Sequence, residues 1–240
     1  MEIPAGMKQA GWELLTGIYP GEQLAALQQA TAPLSQQTVE AVRQRDGAVY
    51  AARNVLQLCP ELVTAWRTPT LIRFLTGHLG LQAGLVRALY FDKPPEQTWA
   101  LPWHKDLLIA VADNMPAAGY STPRPRAGVL HSEPPLAVLE QMLTLRIHLD
   151  PMTLRNGPLQ VITGSHRTGK DLIIHGFPEA TITSQAGDVL AMRPLLVHSS
   201  GRSDPDCRDH RRVLHLEFSG VPQLPGGVCW HTFIPVLAAS

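Results

Sequence analysis

The stretch Met142–Leu149, "MLTLRIHL", alternates without a slip: Thr144, Arg146 and His148 fall on one side, Leu145, Ile147 and Leu149 on the other. Successive side chains of a strand point to opposite faces, so this is a strand with one polar and one apolar face. "RRVLHLEF" (Arg211–Phe218) repeats the pattern, with Arg211, Val213, His215 and Glu217 opposite Arg212, Leu214, Leu216 and Phe218. Two such strands fit an antiparallel sheet whose apolar face meets a core. The ordinary expectation for the polar faces is solvent, as in any half-exposed sheet. The alternative is that Arg146 and His148 present charge to an anionic substrate.

Working outward, "LVRALYF", "HKDLLIAV", "PLQVI", "ATITS", "DVLAMR" and "LLVHSS" are further short β-like runs, about eight strands in all. Turn signals separate them at Asn156-Gly157, Gly164-Ser165, Gly187-Asp188 and Ser200-Gly201. Gly21 to about Gly80 reads instead as three or four helices. "TPTLIRFLTGHLG", for example, has Pro near its start and Gly near its end. The expected fold is mainly β with flanking helices (α+β). It is a double-stranded β-helix, cupin-like jelly roll, with N-terminal helices packed on one sheet. A single domain is expected over 1–240, helical in 1–83 and jelly roll in 84–240. One connection breaks the rhythm: Asn114–Pro135 carries five prolines and no periodicity, which predicts a lid or a disordered segment.

The 20 basic and 20 acidic residues cancel, so no electrostatic footprint of a nucleic-acid binder exists, and the expected partner is a small molecule. Met1–Ala10 lacks the layout of a signal peptide and no apolar run approaches a bilayer span, which predicts a cytoplasmic protein with no membrane partner. The three cysteines, Cys59, Cys207 and Cys229, are far apart and read as reduced thiols. Nothing here sets an oligomeric state.

The chemistry concentrates in "PWHKDLLIAV", Pro102–Val111, where His104 and Asp106 head an apolar run. At i and i+2 of a strand they share one face. Imidazole plus carboxylate is two-thirds of the facial triad of non-haem Fe(II), which leaves positions open for cosubstrate and oxygen. Among ten histidines, position selects His198, which ends the apolar run "LLVHSS" beside a turn. A dicarboxylate cosubstrate needs a guanidinium fork, and Arg211 or Arg212 stands at the start of the next strand. Trp99 and Trp103 flank the metal motif as packing or pocket residues.

"FDKPPEQTWALPWHKD", "RNGPLQVITGSHRTGK", "AGDVLAMRPLLVHSSG" and "RRVLHLEFS" occur in the order seen in the phytanoyl-CoA dioxygenase family of Fe(II)/2-oxoglutarate oxygenases, which the chain resembles from Leu85 to Gly220. The resemblance implies that His104, Asp106 and His198 bind Fe(II). It implies that an Arg, better matched by Arg211 than by Arg212, holds the C5 carboxylate of 2-oxoglutarate. Ser200 matches a position that contacts the cosubstrate. The implied reaction uses O2 and hydroxylates a C–H with release of succinate and CO2. Asp106 keeps the carboxylate that halogenating relatives replace. For the substrate side, Arg146, His148 and Trp103 are the candidates. Two other readings use the same residues: an inactive jelly-roll binding protein with a vestigial metal site, or a Zn(II) hydrolase.

Overall fold

The computed structural model describes residues 6–95, 98–114 and 116–237; residues 1–5, within the segment read for a signal peptide, and Met115, within the proline-rich connection, lie outside them. In chain order the strands are β1 (Trp12–Leu15), β2 (Val42–Arg45), β3 (Ala48–Ala52), β4 (Gly84–Phe91), β5 (Leu101–His104), β6 (Ile109–Val111), β7 (Arg124–Arg126), β8 (Val129–Ser132), β9 (Met142–His148), β10 (Leu159–Ile162), β11 (Glu179–Ile182), β12 (Val189–Met192), β13 (His198–Ser200), β14 (Val213–Ser219) and β15 (Ile234–Pro235). The helices are α1 (Gly21–Thr31), α2 (Val55–Leu58), α3 (Leu62–Ala65), α4 (Pro69–Leu79) and α5 (Leu136–Glu140).

An eight-stranded antiparallel sheet runs β1-β12-β9-β14-β4-β3-β2, with β15 beside β4. A four-stranded sheet runs β11-β10-β13-β5, and β6-β8-β7 form a third. Leu190 and Met192 of the large sheet pack against Leu159, Val161 and Ile182 of the four-stranded one, which closes the jelly roll. On its outer face the large sheet presents Leu143, Leu145, Ile147, Leu214, Leu216 and Phe218 to a core shared with Leu27, Leu62, Trp66, Leu71 and Leu75 of the helical layer. α4 has the predicted ends: Thr68 accepts from the Leu71 amide at 3.2 Å, Pro69 opens the helix and Gly80 closes it at φ 85°. Among the described residues no helix is long and apolar enough to cross a membrane.

Four expectations change. Residues 6–83 supply strands β1, β2 and β3 to the large sheet as well as helices. "HKDLLIAV" is not one strand, because β5 ends at His104 and β6 begins at Ile109. Asp106 therefore leaves the ladder: its amide donates to the Pro194 carbonyl at 2.9 Å. Lys105 leaves with it, its Nζ reaching Ser165 O, Thr168 Oγ1 and Gly169 O at 3.2, 2.9 and 2.7 Å. The described part of the proline-rich connection is not structureless either. β7 and β8 make a hairpin there, turning through Ala127 (φ 51°) and Gly128 (φ 77°), and β8 pairs with β6.

The largest correction concerns the polar faces. Arg146, His148, His215 and Glu217 are 6%, 0%, 2% and 3% exposed, so these faces look into the jelly roll and not into solvent. Cross-strand register stacks them in rows: His148 opposite Val213 and Val213 opposite Phe91, then Arg146, His215 and Leu89, then Thr144, Glu217 and Arg87. The second sheet covers what alternation alone assigns to water.

Two measurements follow from this division of faces. Leu145→Ala deletes a fully buried side chain of the outer core, and urea denaturation should show a loss of about 2–5 kcal/mol. Burial pushes His148 down to about 3, with Arg146 and Arg211 adding to the effect. The unfolded chain then takes up a proton near pH 6.5 that the folded chain refuses, so stability is full above that pH and falls as pH drops toward 3. Between pH 7 and 5, metal-free protein carrying His148→Leu should lose about 2 kcal/mol less stability than wild type in the same denaturation assay.

Candidate metal centre

β13 pairs with β5 so that His198 sits directly opposite His104, with ring centroids 4.2 Å apart. Each ring is oriented by the backbone two residues before it. His104 Nδ1 lies 2.7 Å from Pro102 O, and His198 Nδ1 lies 2.9 Å from Leu196 O. A carbonyl only accepts, so each Nδ1 carries the proton and each Nε2 keeps a free lone pair. Both lone pairs face Asp106: His104 Nε2 is 3.9 Å from Oδ1 and His198 Nε2 is 3.7 Å from Oδ2. One ligand atom from each of the three residues lies within 4.8 Å of the others.

The site has acceptors facing acceptors. Asp106 Oδ2 is buried with no hydrogen-bond donor, a state that costs free energy unless a cation completes it. Burial by itself raises the Asp106 pKa, but His198, His215, His104 and Arg87 outweigh it and hold the carboxyl at about 2. Burial pushes His198 down to about 4 against the pull of Asp106. The cluster thus sets an ionised carboxylate beside two imidazole Nε2 atoms, the donor set suited to Fe(II) with positions left open. The donor chemistry fits the metal that the sequence implies.

A cavity opens from this cluster, walled by Leu89, Phe91, Trp99, Leu101 and Leu159. Arg146, Arg211, His215, Ser199 and Ser200 supply its polar lining. Arg211 is fully buried; Nη1 donates to Gly157 O at 2.7 Å, while Nε has no partner. Arg212 is turned away, gripping Asp150 through Nε and Nη2 at 2.8 and 2.6 Å. The parity of the strand separates the two arginines. Ser200 lines the cavity and its Oγ accepts from Lys93 Nζ at 3.2 Å. Lys93 also donates to Gly157 O at 3.2 Å and to Gly201 O, so one buried amine, its pKa pushed down to about 6 by burial and by Arg211, Arg146 and Arg202, joins the Asn156-Gly157 turn to the end of β13. Gly157 is required there: at φ 68° a Cβ would lie 2.5 Å from Gly201 O and 2.8 Å from Lys93 Nζ.

Of the substrate-side candidates, Arg146 lines the cavity and Trp103 does not; Trp99 takes the place considered for it. His148 lies in the neighbouring row, opposite Val213, and does not line the cavity; both its ring nitrogens are unpartnered. Sequence reasoning passed over the pair behind the cavity, in which Arg87 Nε and Nη2 grip Glu217 at 2.8 and 2.5 Å. The signal was present, since Glu217 shares the face of His215, and Arg87 stands alone among apolar residues in "LVRALYF".

A profile of the family described as Phytanoyl-CoA dioxygenase (PhyH) matches residues 7–208. No curated protein matches the chain by sequence. Among solved structures, AviO1 from Streptomyces viridochromogenes Tue57 is similar at 18% identity and TM-score 0.67, over 92% of this chain and 94% of its own. EctD from S. alaskensis, solved with 2-oxoglutarate and 5-hydroxyectoine, is similar at 21% identity and TM-score 0.67, over 91% and 75%. EvdMO1 is similar at 19% identity and TM-score 0.64 over 89% of this chain; the chain spans about half of that relative's length, 48%. These likenesses establish the fold, and the profile covers most of the sequence. The chain belongs to the phytanoyl-CoA dioxygenase family.

Proposed function

We propose that this chain is a single-domain Fe(II)- and 2-oxoglutarate-dependent oxygenase that hydroxylates a C–H bond of a small molecule. The observation that carries the reading is the convergence of two oriented Nε2 atoms on an ionised carboxylate whose Oδ2 has no hydrogen-bond partner, with a buried, half-satisfied guanidinium in the same cavity. His104, Asp106 and His198 would hold iron. Arg211 would hold the distal carboxylate of 2-oxoglutarate, and Ser200 would flank it.

Bound there, iron and its cosubstrate would supply oxidation of a substrate C–H to C–OH by O2, with 2-oxoglutarate converted to succinate and CO2. The chain's own part is positioning. The Pro102 and Leu196 carbonyls hold each Nδ1, which turns each Nε2 toward Asp106. Arg211 offers its unpaired Nε and a fork anchored on Gly157 O, the geometry that suits a carboxylate. Phe91, Trp99 and Leu159 line the cavity with apolar surface that keeps water from the reacting carbon. Asp106 stays ionised through neutral pH and keeps the third ligand position filled, which favours hydroxylation over halide transfer.

Anaerobic addition of Fe(II) and 2-oxoglutarate should produce the visible metal-to-ligand charge-transfer band of the chelate, which neither an inert binding protein nor a Zn(II) hydrolase gives. His104→Ala and His198→Ala should lose iron retention and the band together. Arg211→Ala should keep iron while raising the 2-oxoglutarate requirement by roughly 10–100-fold, the worth of a charge-assisted hydrogen bond. A wild-type protein with no band, or an Arg211→Ala variant with unchanged cosubstrate affinity, would contradict these assignments.

A further inference from the structure

Two guanidinium groups, Arg146 and Arg211, are buried against the cavity, and among the described residues neither has a carboxylate within ion-pair distance. The neighbouring arginines differ: Arg87 is paired with Glu217 and Arg212 with Asp150. A buried cation without a counter-charge is costly. On the oxygenase reading the cosubstrate supplies the missing anion to Arg211. The two charges of Fe(II) and the one of Arg211 then balance Asp106 and the dianionic cosubstrate. Arg146 is left as the uncompensated cation of the described cavity.

Its surroundings hold it for a ligand. Arg87 grips Glu217 by two bonds, and His215 Nε2 donates to Glu217 Oε1 at 3.2 Å. Arg146 Nη1 lies 3.1 Å from His215 Nδ1 and, being only a donor, fixes that nitrogen as the acceptor. His215 is therefore an uncharged imidazole that orients Arg146 without neutralising it. Arg146 Nε remains unpartnered. Beside it the cavity wall is apolar: the Phe91 ring lies 5.9 Å from the guanidinium carbon and 6.2 Å from the Trp99 ring, and Leu89 stands opposite His215 in the ladder.

We propose that the primary substrate is a monoanionic carboxylic acid, whose carboxylate docks on Arg146 and whose hydrocarbon part lies along Leu89, Phe91 and Trp99. This rests on the oxygenase reading and adds the substrate class to it. Arg146 is the specificity-determining residue, and His215 and Glu217 are positioning residues that act through it. A carboxylate suits the site because its two oxygens match a guanidinium fork, which a single ammonium would not reproduce.

The test uses protein loaded anaerobically with Fe(II) and 2-oxoglutarate. It is titrated with aliphatic and aromatic carboxylic acids, each set against its primary amide, while the charge-transfer band is followed. At least one acid should perturb the band at a concentration about tenfold or more below its amide, the scale of one charge-assisted contact. Arg146→Met should abolish that preference while 2-oxoglutarate affinity, read from the same band, changes less than about twofold. If circular dichroism shows that Arg146→Met does not fold, Arg146→Lys decides: it should keep the sign of the preference and reduce it about fivefold or more.

Acids and amides acting alike, no acid perturbing the band, or an undiminished preference in the deciding variant would overturn the proposal. Loss of 2-oxoglutarate affinity in Arg146→Met would overturn it by moving Arg146 to the cosubstrate. Absence of the band from wild-type protein is a different failure, which removes the oxygenase reading and the substrate class with it.

Discussion

Antiparallel pairing of β13 with β5 governs the centre, because it places His198 against His104 before any ligand is present. The same short segment leading into β13 sets the other groups. Pro194 O receives the Asp106 amide, Leu196 O receives His198 Nδ1, and the Val197 amide is held by Ser165 Oγ at 2.9 Å. Donor atoms from two segments distant in the chain therefore converge through backbone hydrogen bonds, and the side chains have little freedom left to lose when a cation binds. Such preorganisation is what separates a metal site from a chance cluster of histidine and aspartate.

The large sheet offsets the cost of that arrangement. Its outer face buries Leu143, Leu145, Ile147, Leu214, Leu216 and Phe218 against the helical layer, apolar burial of the kind that stabilises a domain. The inner face carries Arg87, Arg146, His148, His215 and Glu217, of which only Arg87 and Glu217 form a carboxylate–guanidinium pair. Unpartnered atoms gather on that face, including Thr144 Oγ1, Arg146 Nε and both nitrogens of His148. Buried polar atoms left in that state lower stability, and here they line or back a cavity instead of being scattered through the core.

Alternation in "MLTLRIHL" and "RRVLHLEF" made the strands, their faces and the distinction between Arg211 and Arg212 legible in the sequence. Which medium each face would meet was not legible, because parity records which side chains sit together and not what lies across from them. The polar faces read as solvent are covered by the second sheet. β1 ("WELL") and β2 ("VRQR") are short and carry little β-branched character, so only pairing with β12 and β3 makes them strands. The proline-rich connection looked structureless because prolines hide a three-residue strand such as "RPR", whose order comes from β8. His104 and Asp106 do reach one site, although because β5 ends at His104 and the chain turns out of the ladder, and not through a shared strand face. Gly157 read as a turn residue, but its contact with Lys93 was not visible, since it joins residues 64 apart in the chain.

The central claim is that these two imidazoles and one carboxylate form a single iron site. Crystals exposed anaerobically to Fe(II) and measured at the iron absorption edge test it most directly. The account predicts one anomalous peak within bonding distance of His104 Nε2, His198 Nε2 and the Asp106 carboxylate. Bound iron located anywhere else in the fold, with that position empty, would contradict it.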